Sequence, residues 1–329
     1  MSPMAAPFDR SPDDCVQARL ASLTVVRMSC LRLIRVLAFA SVLAGGAAEA
    51  AAQLSPPATP NVAVAPQYGT THVYVPFADF DRFVASFVST FGGTTSKAGI
   101  VTVTPAPSLA KSQLVLTPVG NLSVFGFTTP VPFPFGDERT GSLVTDLDAA
   151  VQAARANGAD VIVAPFADAL GRDAVIQWPG GVNMQLYWHT TPPSYPPLAA
   201  IPENRVYLSK DRADAFIRAF VAFSHGAIVS DEPAAPSVEI GRAGETYRRV
   251  RIESGFGKVV ALVTDGHLRW PYGREVAGYE VSSMAETLAK AAAAGVEVLV
   301  APTTADRRVA AIVLFPGGYI AEIHAAIRP

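Results

Sequence analysis

Five histidines and two cysteines are the whole supply of imidazole and thiol groups in this 329-residue chain. Cys15 and Cys30 cannot form a C-x-x-C site and both lie in the first tenth of the chain, which excludes a thiolate-rich metal centre or a disulfide scaffold. The histidines, His72, His189, His225, His267 and His324, stand singly, with no H-E-x-x-H helix among them. No Gly-rich phosphate loop and no G-x-S-x-G elbow occurs either. His225 closes a helical stretch at Ser224-His-Gly226, where a cation suits the carbonyl end of the dipole. His267 lies in the aromatic and basic loop Asp265–Arg274, which could lid a site, and His189 ends a strand beside Trp188. Any chemistry must therefore come from dispersed side chains that the fold brings together.

Charge and composition narrow the partners. With 26 Lys+Arg against 28 Asp+Glu the net charge is −2, and no basic cluster occurs, so binding of nucleic acid through phosphate neutralisation is disfavoured. The chain is 50% hydrophobic, mostly Ala and Val, which reads as a globular core. Residues 28–50 carry Arg32 and Arg35, an apolar run Val36–Ala48 too short to span a bilayer, and the small-residue site Ala48-Glu49-Ala50. This predicts a signal peptide and export to the periplasm or medium, with no membrane span after cleavage. Residues 1–27 then read as an upstream extension or mis-assigned start. Residues 51–67 read as a disordered linker. Removing residues 1–50 leaves 21 basic and 24 acidic residues and no cysteine.

The remainder is internally repeated. His72-Val-Tyr-Val and the Phe83/Phe87 pair return at Arg205-Val-Tyr-Leu and Phe216/Phe220 with an offset of 133, as Gly93 returns at Gly226. Val163-Ala-Pro and Pro179-Gly-Gly return at Val300-Ala-Pro and Pro316-Gly-Gly with an offset of 137, which implies a small loop insertion in the second copy. Each copy divides again. A strand at 71–77 is followed by a helix with Phe80, Phe83, Val84 and Phe87 at helical spacing, capped by Asp79 and ended by Gly92-Gly93. Short strands at 100–104, 113–117 and 122–127 follow. The pattern restarts at Gly141, with Asp146 capping a helix that stops at Asn157-Gly158, then strands at 161–164, 174–178 and 183–188. The unit is β-α-β-β-β, present four times. Two domains result, 68–190 and 204–329, joined by the Pro-rich linker 191–203.

This order, with Val144-Thr-Asp-Leu-Asp-Ala-Ala-Val, Ala156-Asn-Gly-Ala-Asp-Val, Gly171-Arg-Asp-Ala and Trp178-Pro-Gly-Gly-Val-Asn-Met-Gln-Leu, resembles the vicinal oxygen chelate superfamily. That group includes glyoxalase I, extradiol dioxygenases and bleomycin-resistance proteins. The resemblance covers about residues 68–327. It implies an α+β fold in which four βαβββ modules form two open mixed-sheet barrels, each with a concave cup. Metal ligands of such proteins sit on a module's first strand and near the end of a last strand. The matching positions here are His72, Thr140 and Gln185 in the N-terminal cup, with a possible one-residue slip at Thr140. In the C-terminal cup they are Arg205, Ala277 and Glu322.

Neither set supplies two His and one Glu, and Arg only donates. The expectation is thus no cofactor, with His72, Gln185 and Glu322 as weak candidates for a divalent metal. Strand alternation adds Tyr74 to His72, Tyr187 to Gln185, Tyr207 to Arg205, and His324 to Glu322. These eight residues form the predicted ligand-binding set. A structural alternative makes Arg205 and Glu322 a buried ion pair replacing a lost metal, and His72 and Gln185 a satisfied core pair. The leading reading is a metal-free binder of a small molecule, acting as a monomer or homodimer. The rival is a glyoxalase-type lyase or isomerase, or a dioxygenase-like enzyme, with a divalent metal at His72 and Gln185 or Glu322. A third reading has both cups filled and the protein working through its surface.

Overall fold

The structure is a computed structural model that describes residues 59–103, 106–268 and 273–327. The segment 1–27, the stretch 28–50 expected to be a signal peptide and the beginning of the 51–67 linker lie outside the described residues. The rest of that linker is docked, correcting the expectation of disorder there. Val62 is buried against Val144 and Leu147, and its carbonyl accepts from Thr145 N at 2.9 Å. Val64 N donates to Leu143 O at 3.1 Å.

The first half runs β1 (Thr70–Tyr74), α1 (Phe80–Phe91), β2 (Thr94–Thr95), β3 (Gly99–Val103), β4 (Ser108–Thr117) and β5 (Gly120–Phe127), then β6 (Arg139–Leu143), α2 (Leu147–Ala156), β7 (Asp160–Ala167), β8 (Gly171–Trp178) and β9 (Val182–His189). The second half repeats it: β10 (Glu203–Leu208), α3 (Lys210–Ser224), β11 (Ala227–Pro236), β12 (Thr246–Ser254) and β13 (Gly257–Val263), then β14 (Glu275–Glu280), α4 (Met284–Ala293), β15 (Glu297–Ala305), β16 (Arg308–Leu314) and β17 (Ile320–Ala326). Local chemistry explains the helix ends. Asp146 accepts from Ala149 N at 2.9 Å and its counterpart Ser283 from Glu286 N at 3.3 Å, each a side-chain N-cap. Asp79 was expected to cap α1 but makes no such bond; its carboxylate takes Arg82 at 2.5 Å instead.

Each half closes on one mixed sheet. The first is ordered β2-β4-β5-β1-β6-β9-β8-β7, with β3 also on β4; the second is ordered β11-β12-β13-β10-β14-β17-β16-β15. At each centre the first strands of two modules pair antiparallel, β1 with β6 and β10 with β14. Each is flanked by its own module's last strand in parallel. Modules therefore pair within each half, and His72 and Glu322 belong to different sheets.

Helices pack on the outer faces and join the two halves. Phe87 of α1 meets Tyr279 of β14 edge-on with centroids 5.4 Å apart, and Trp178 of β8 lies 5.1 Å from Phe223 of α3. These rings anchor two apolar cores shared between the halves. A third core, with Tyr207, Val260, Leu262 and Ile312, fills the second cup. The four-residue difference between the repeat offsets falls between Gly226 and Gly257. That stretch holds the 3₁₀ turn Ser237–Ile240, whose Ile240 joins the third core. Among the described residues no helix is long and apolar enough to cross a membrane.

Candidate functional site

In the N-terminal cup the strand register places one unexpected side chain beside His72. His72 pairs with Arg139 across β1 and β6, while Gly141 registers with Gln185 across β6 and β9. Arg139, not Thr140, therefore shares the inner face, the one-residue slip that period-two alternation turns into a change of side. Gly141 is glycine because a Cβ there would lie 2.6 Å from His72 Cε1 and 2.8 Å from Tyr187 Cε1. Thr140 turns to the opposite face, beside Thr71, Met184 and Ala277.

These residues wall a cleft of about 690 Å³ that His72, Arg139, Asp173, Gln185, Tyr187 and Phe125 line. Arg139 is 1% exposed; its Nε and Nη2 donate to Gln185 Oε1 at 3.2 and 2.8 Å. Gln185 Nε2 in turn donates to Asp173 Oδ2 at 3.0 Å. The Asp173 carboxyl is pushed up to about 7 by burial and by the Asp168 charge, against the bond from Gln185. His72 is held well below its ordinary range by burial and by Arg139, so its imidazole is neutral at pH 7. Tyr74, expected to face the ligand, packs 5.5 Å from Phe125 and 6.2 Å from Phe127, with the Arg139 guanidinium over its ring at 5.6 Å. Tyr187 OH donates to the Tyr68 carbonyl, which fixes that ring.

The C-terminal cup uses equivalent positions differently. Arg205, Glu322 and His324 are all buried there, but Ala277 faces the helices beside Tyr279, and Val276 and Gly278 take the inner face. The slip is the same as in the first half. His324 Nδ1 and Glu322 Oε2 lie 2.7 Å apart; Arg205 Nη1 is 3.5 Å from Glu322 and 3.4 Å from Glu203. Arg308 Nη1 donates to Glu203 at 2.9 Å. Burial would raise Glu203, but Arg308, His324 and Arg205 outweigh it and hold the acid below its ordinary range. The 3₁₀ turn adds Glu239, which accepts from Arg249 Nη1 at 2.6 Å and from Tyr247 OH.

Glu203, Glu322 and His324 bring one ligand atom each to within 4.8 Å of one another. This overturns the expectation of no cofactor. Glu203 and His324 lie two residues from Arg205 and Glu322, along the same faces of β10 and β17. Two carboxylates and an imidazole suit a divalent transition metal. Glu322 Oε1 is buried without a hydrogen bond, 3.5 Å from Arg205 Nη1 and 3.8 Å from Arg308 Nη2, so a metal there would take an oxygen that only loose ion pairs now hold. In the N-terminal cup the weak candidates offer only the His72 imidazole and a Gln185 oxygen already taken by Arg139, too few donors for a metal.

Sequence reasoning missed Arg139, Asp173, Glu203 and Arg308. Asp173 lies inside Gly171-Arg-Asp-Ala, and Glu203 and Arg139 lie within two residues of Arg205 and Thr140. His267 is 88% exposed; its ring lies 3.5 Å from Asp265, whose carboxylate also accepts from His267 N at 3.0 Å. His225 does end α3, in a left-handed conformation with φ 51°.

No family model matches the chain, and no curated protein sequence does. Solved structures do. A variant of 4-hydroxymandelate synthase from Streptomyces coelicolor superposes with TM-score 0.58 at 13% identity, over 82% of this chain and 94% of that one. A fusion of a xylose isomerase-like TIM barrel with 4-hydroxyphenylpyruvate dioxygenase gives 0.52 at 14%, over 82% of this chain and 50% of that one. The 2,2',3-trihydroxybiphenyl 1,2-dioxygenase of Sphingomonas wittichii gives 0.52 at 13%, over 79% and 90%. At these identities the likeness establishes the fold: this chain carries the tandem two-barrel fold of the vicinal oxygen chelate superfamily.

Proposed function

We propose that this protein is a glyoxalase-type lyase or isomerase that moves a proton on a small molecule held in the N-terminal cup, with Asp173 as the proton carrier. The observation that carries the reading is the placement of Asp173, half-buried on the wall of the 690 Å³ cleft and joined through Gln185 to Arg139. A carboxyl that titrates near 7 both accepts and donates a proton at neutral pH. The proton leaves the hydroxyl-bearing carbon of a 2-hydroxy carbonyl for Asp173 and returns to the former carbonyl carbon, while the hydroxyl proton passes to the former carbonyl oxygen, so the reaction balances as an isomerisation. Arg139 supplies a fixed positive charge to the oxyanion that develops between the two transfers.

The test is solvent exchange. The full chain in D₂O is mixed with a panel of small 2-oxo and 2-hydroxy aldehydes, ketones and acids, and NMR follows the carbon-bound proton. Exchange with at least one member, slowed a hundredfold or more in a folded Asp173→Asn protein, supports the reading. Exchange unchanged in Asp173→Asn, or absent across the panel, sinks it.

The cluster of Glu203, Glu322 and His324 favours a second reading, a divalent-metal enzyme of the dioxygenase-like kind. A cation held there would supply Lewis-acid polarisation of a ligand oxygen. Glu203 and Glu322, both held below their ordinary range with burial outweighed by neighbouring His324 and Arg groups, present ionised oxygens to it. Metal analysis of the purified chain, with Mn²⁺, Fe²⁺ and Zn²⁺ titrations of native and Glu322→Gln proteins, tests this. Equal affinity in both proteins counts against the site.

A further inference from the structure

The two cups share a plan but not a charge balance. In the C-terminal cup Arg205 faces two acids, Glu203 and Glu322. The corresponding positions of the N-terminal cup, by the repeat offsets, are Thr70 and Gln185, both neutral. Yet this cup holds a guanidinium as deeply buried, Arg139 at 1% exposure. Among the described residues Arg139 forms no salt bridge; its fork is taken by an amide oxygen, and its Nη1 has no hydrogen-bond partner. The acids that line the cleft, Asp168 and Asp173, do not meet it: Asp173 is spent on Gln185, and Asp168 on the amides of Leu170 and Gly171. A buried cation with no carboxylate in direct contact is costly, and the cost falls when a ligand brings an anion against it.

We infer that the N-terminal cup is a receptor for a small monocarboxylate with an aromatic or apolar body, whose carboxylate pairs with Arg139. Arginine suits this role because its charge is permanent, and here the unpartnered Nη1 is left to donate to a carboxylate oxygen while Gln185 holds Nε and Nη2. His72 Nδ1, buried and without a partner beside it, offers a further polar contact. The body of the ligand has apolar walls in Phe125, Phe135, Leu114 and Val103. The Phe135 ring, 4.7 Å from the Arg139 guanidinium, marks where the polar and apolar parts of the ligand meet. The inference deepens the proton-transfer reading by naming the substrate class of the same cup, but it concerns binding and does not need turnover.

The probes are phenylacetate, benzoate and 3-phenylpropionate, each compared with its neutral amide by calorimetric titration of the full chain. At least one acid should bind ten times or more tighter than its amide, and Arg139→Met should erase the preference. Gln185→Glu guards against a variant that fails to fold: it rebuilds the acid of the sister cup beside Arg139, so it should raise the melting temperature while abolishing acid binding. Asp173→Asn should keep the preference for acid while losing proton exchange, which separates the two readings. Equal binding of acid and amide, full acid affinity in Gln185→Glu, or no binding of any acid at millimolar concentration would overturn the inference.

Discussion

Gln185 and Glu322 occupy the same place in the two barrels, each registered against a glycine of the neighbouring parallel strand, Gly141 and Gly278. Gln185 passes hydrogen bonds between Arg139 and Asp173 along the wall of an open cleft. Glu322 sits inside a closed cluster with Arg205, Arg308 and His324. One oxygen-for-nitrogen difference thus separates a cup that accepts charge from a ligand and one that settles its charge internally.

Removing Arg205 tests that internal settlement. Arg205 is 0% exposed and stands between Glu203 and Glu322, so Arg205→Ala leaves two buried acids short of a cation. Loss of one partner of a buried pair costs about 3–5 kcal/mol. Chemical denaturation should show that loss, while acid binding at the N-terminal cup in the surviving folded protein stays within a factor of two. An Arg205→Ala protein of native stability would show that the cluster does not hold the barrel together.

The glycines give a sharper steric test. A Cβ at Gly278 would come 2.7 Å from Glu322 Oε2 and 3.0 Å from Arg205 Cδ. Overpacking of this sort costs about 1–3 kcal/mol. Gly278→Ala should therefore lower the melting temperature and disturb the Glu203–Glu322–His324 cluster, read as weaker metal affinity. Gly141→Ala crowds His72 and Tyr187 instead, and should weaken ligand binding in the first cup only.

Much of this was legible in the sequence, and the limits have a physical cause. The duplication follows from repeated motifs and the helix faces from apolar spacing, signals that are long-range and redundant, while the two-barrel plan is what the family resemblance implies. Facing along a strand has a period of two, so a one-residue error in register reverses every side chain. That error hid Arg139 behind Thr140 and put Ala277 in a cup where Val276 and Gly278 stand. Arg308 is hidden for another reason: it enters its cup from the first position of β16, where sequence pattern carries no mark of direction. The four-residue turn at Ser237 adds to the core of the second cup, a destination no local rule specifies.

Acidity gives a prediction for the whole fold. Glu275, 3% exposed, has its carboxyl pushed up to about 8 by burial, against bonds from Asn204 and Thr140 and the charges of Arg139 and Arg274. Glu138, near it, is also raised, by burial and by Glu275 itself. The folded chain thus keeps the Glu275 proton to about pH 8, whereas the unfolded chain releases it near 4.5. Between those values the folded state binds more protons, so stability falls as pH rises, by at most about 1.4 kcal/mol per unit for this group. Glu275→Gln should flatten that slope in denaturation measured from pH 4.5 to 8. A slope unchanged by Glu275→Gln would place its source elsewhere.

The turn Ser237–Ile240, which has no counterpart among the described residues of the first half, adds a side chain to the core of the second cup. Ile240 is 1% exposed within the third core, and Glu239 holds Arg249 and Tyr247 from the same turn. Ile240→Ala should cost about 2–5 kcal/mol, as large-to-small changes in a packed core do. The cavity it leaves lies among Tyr207, Val260 and Ile312, so a small apolar probe such as benzene should bind there and restore part of the lost stability. Glu239→Gln keeps the volume but strips Arg249 of a buried acid, and no apolar probe should rescue it. If benzene rescues neither protein, or both alike, the turn is not a plug, and the closure of the second cup must come from its strands.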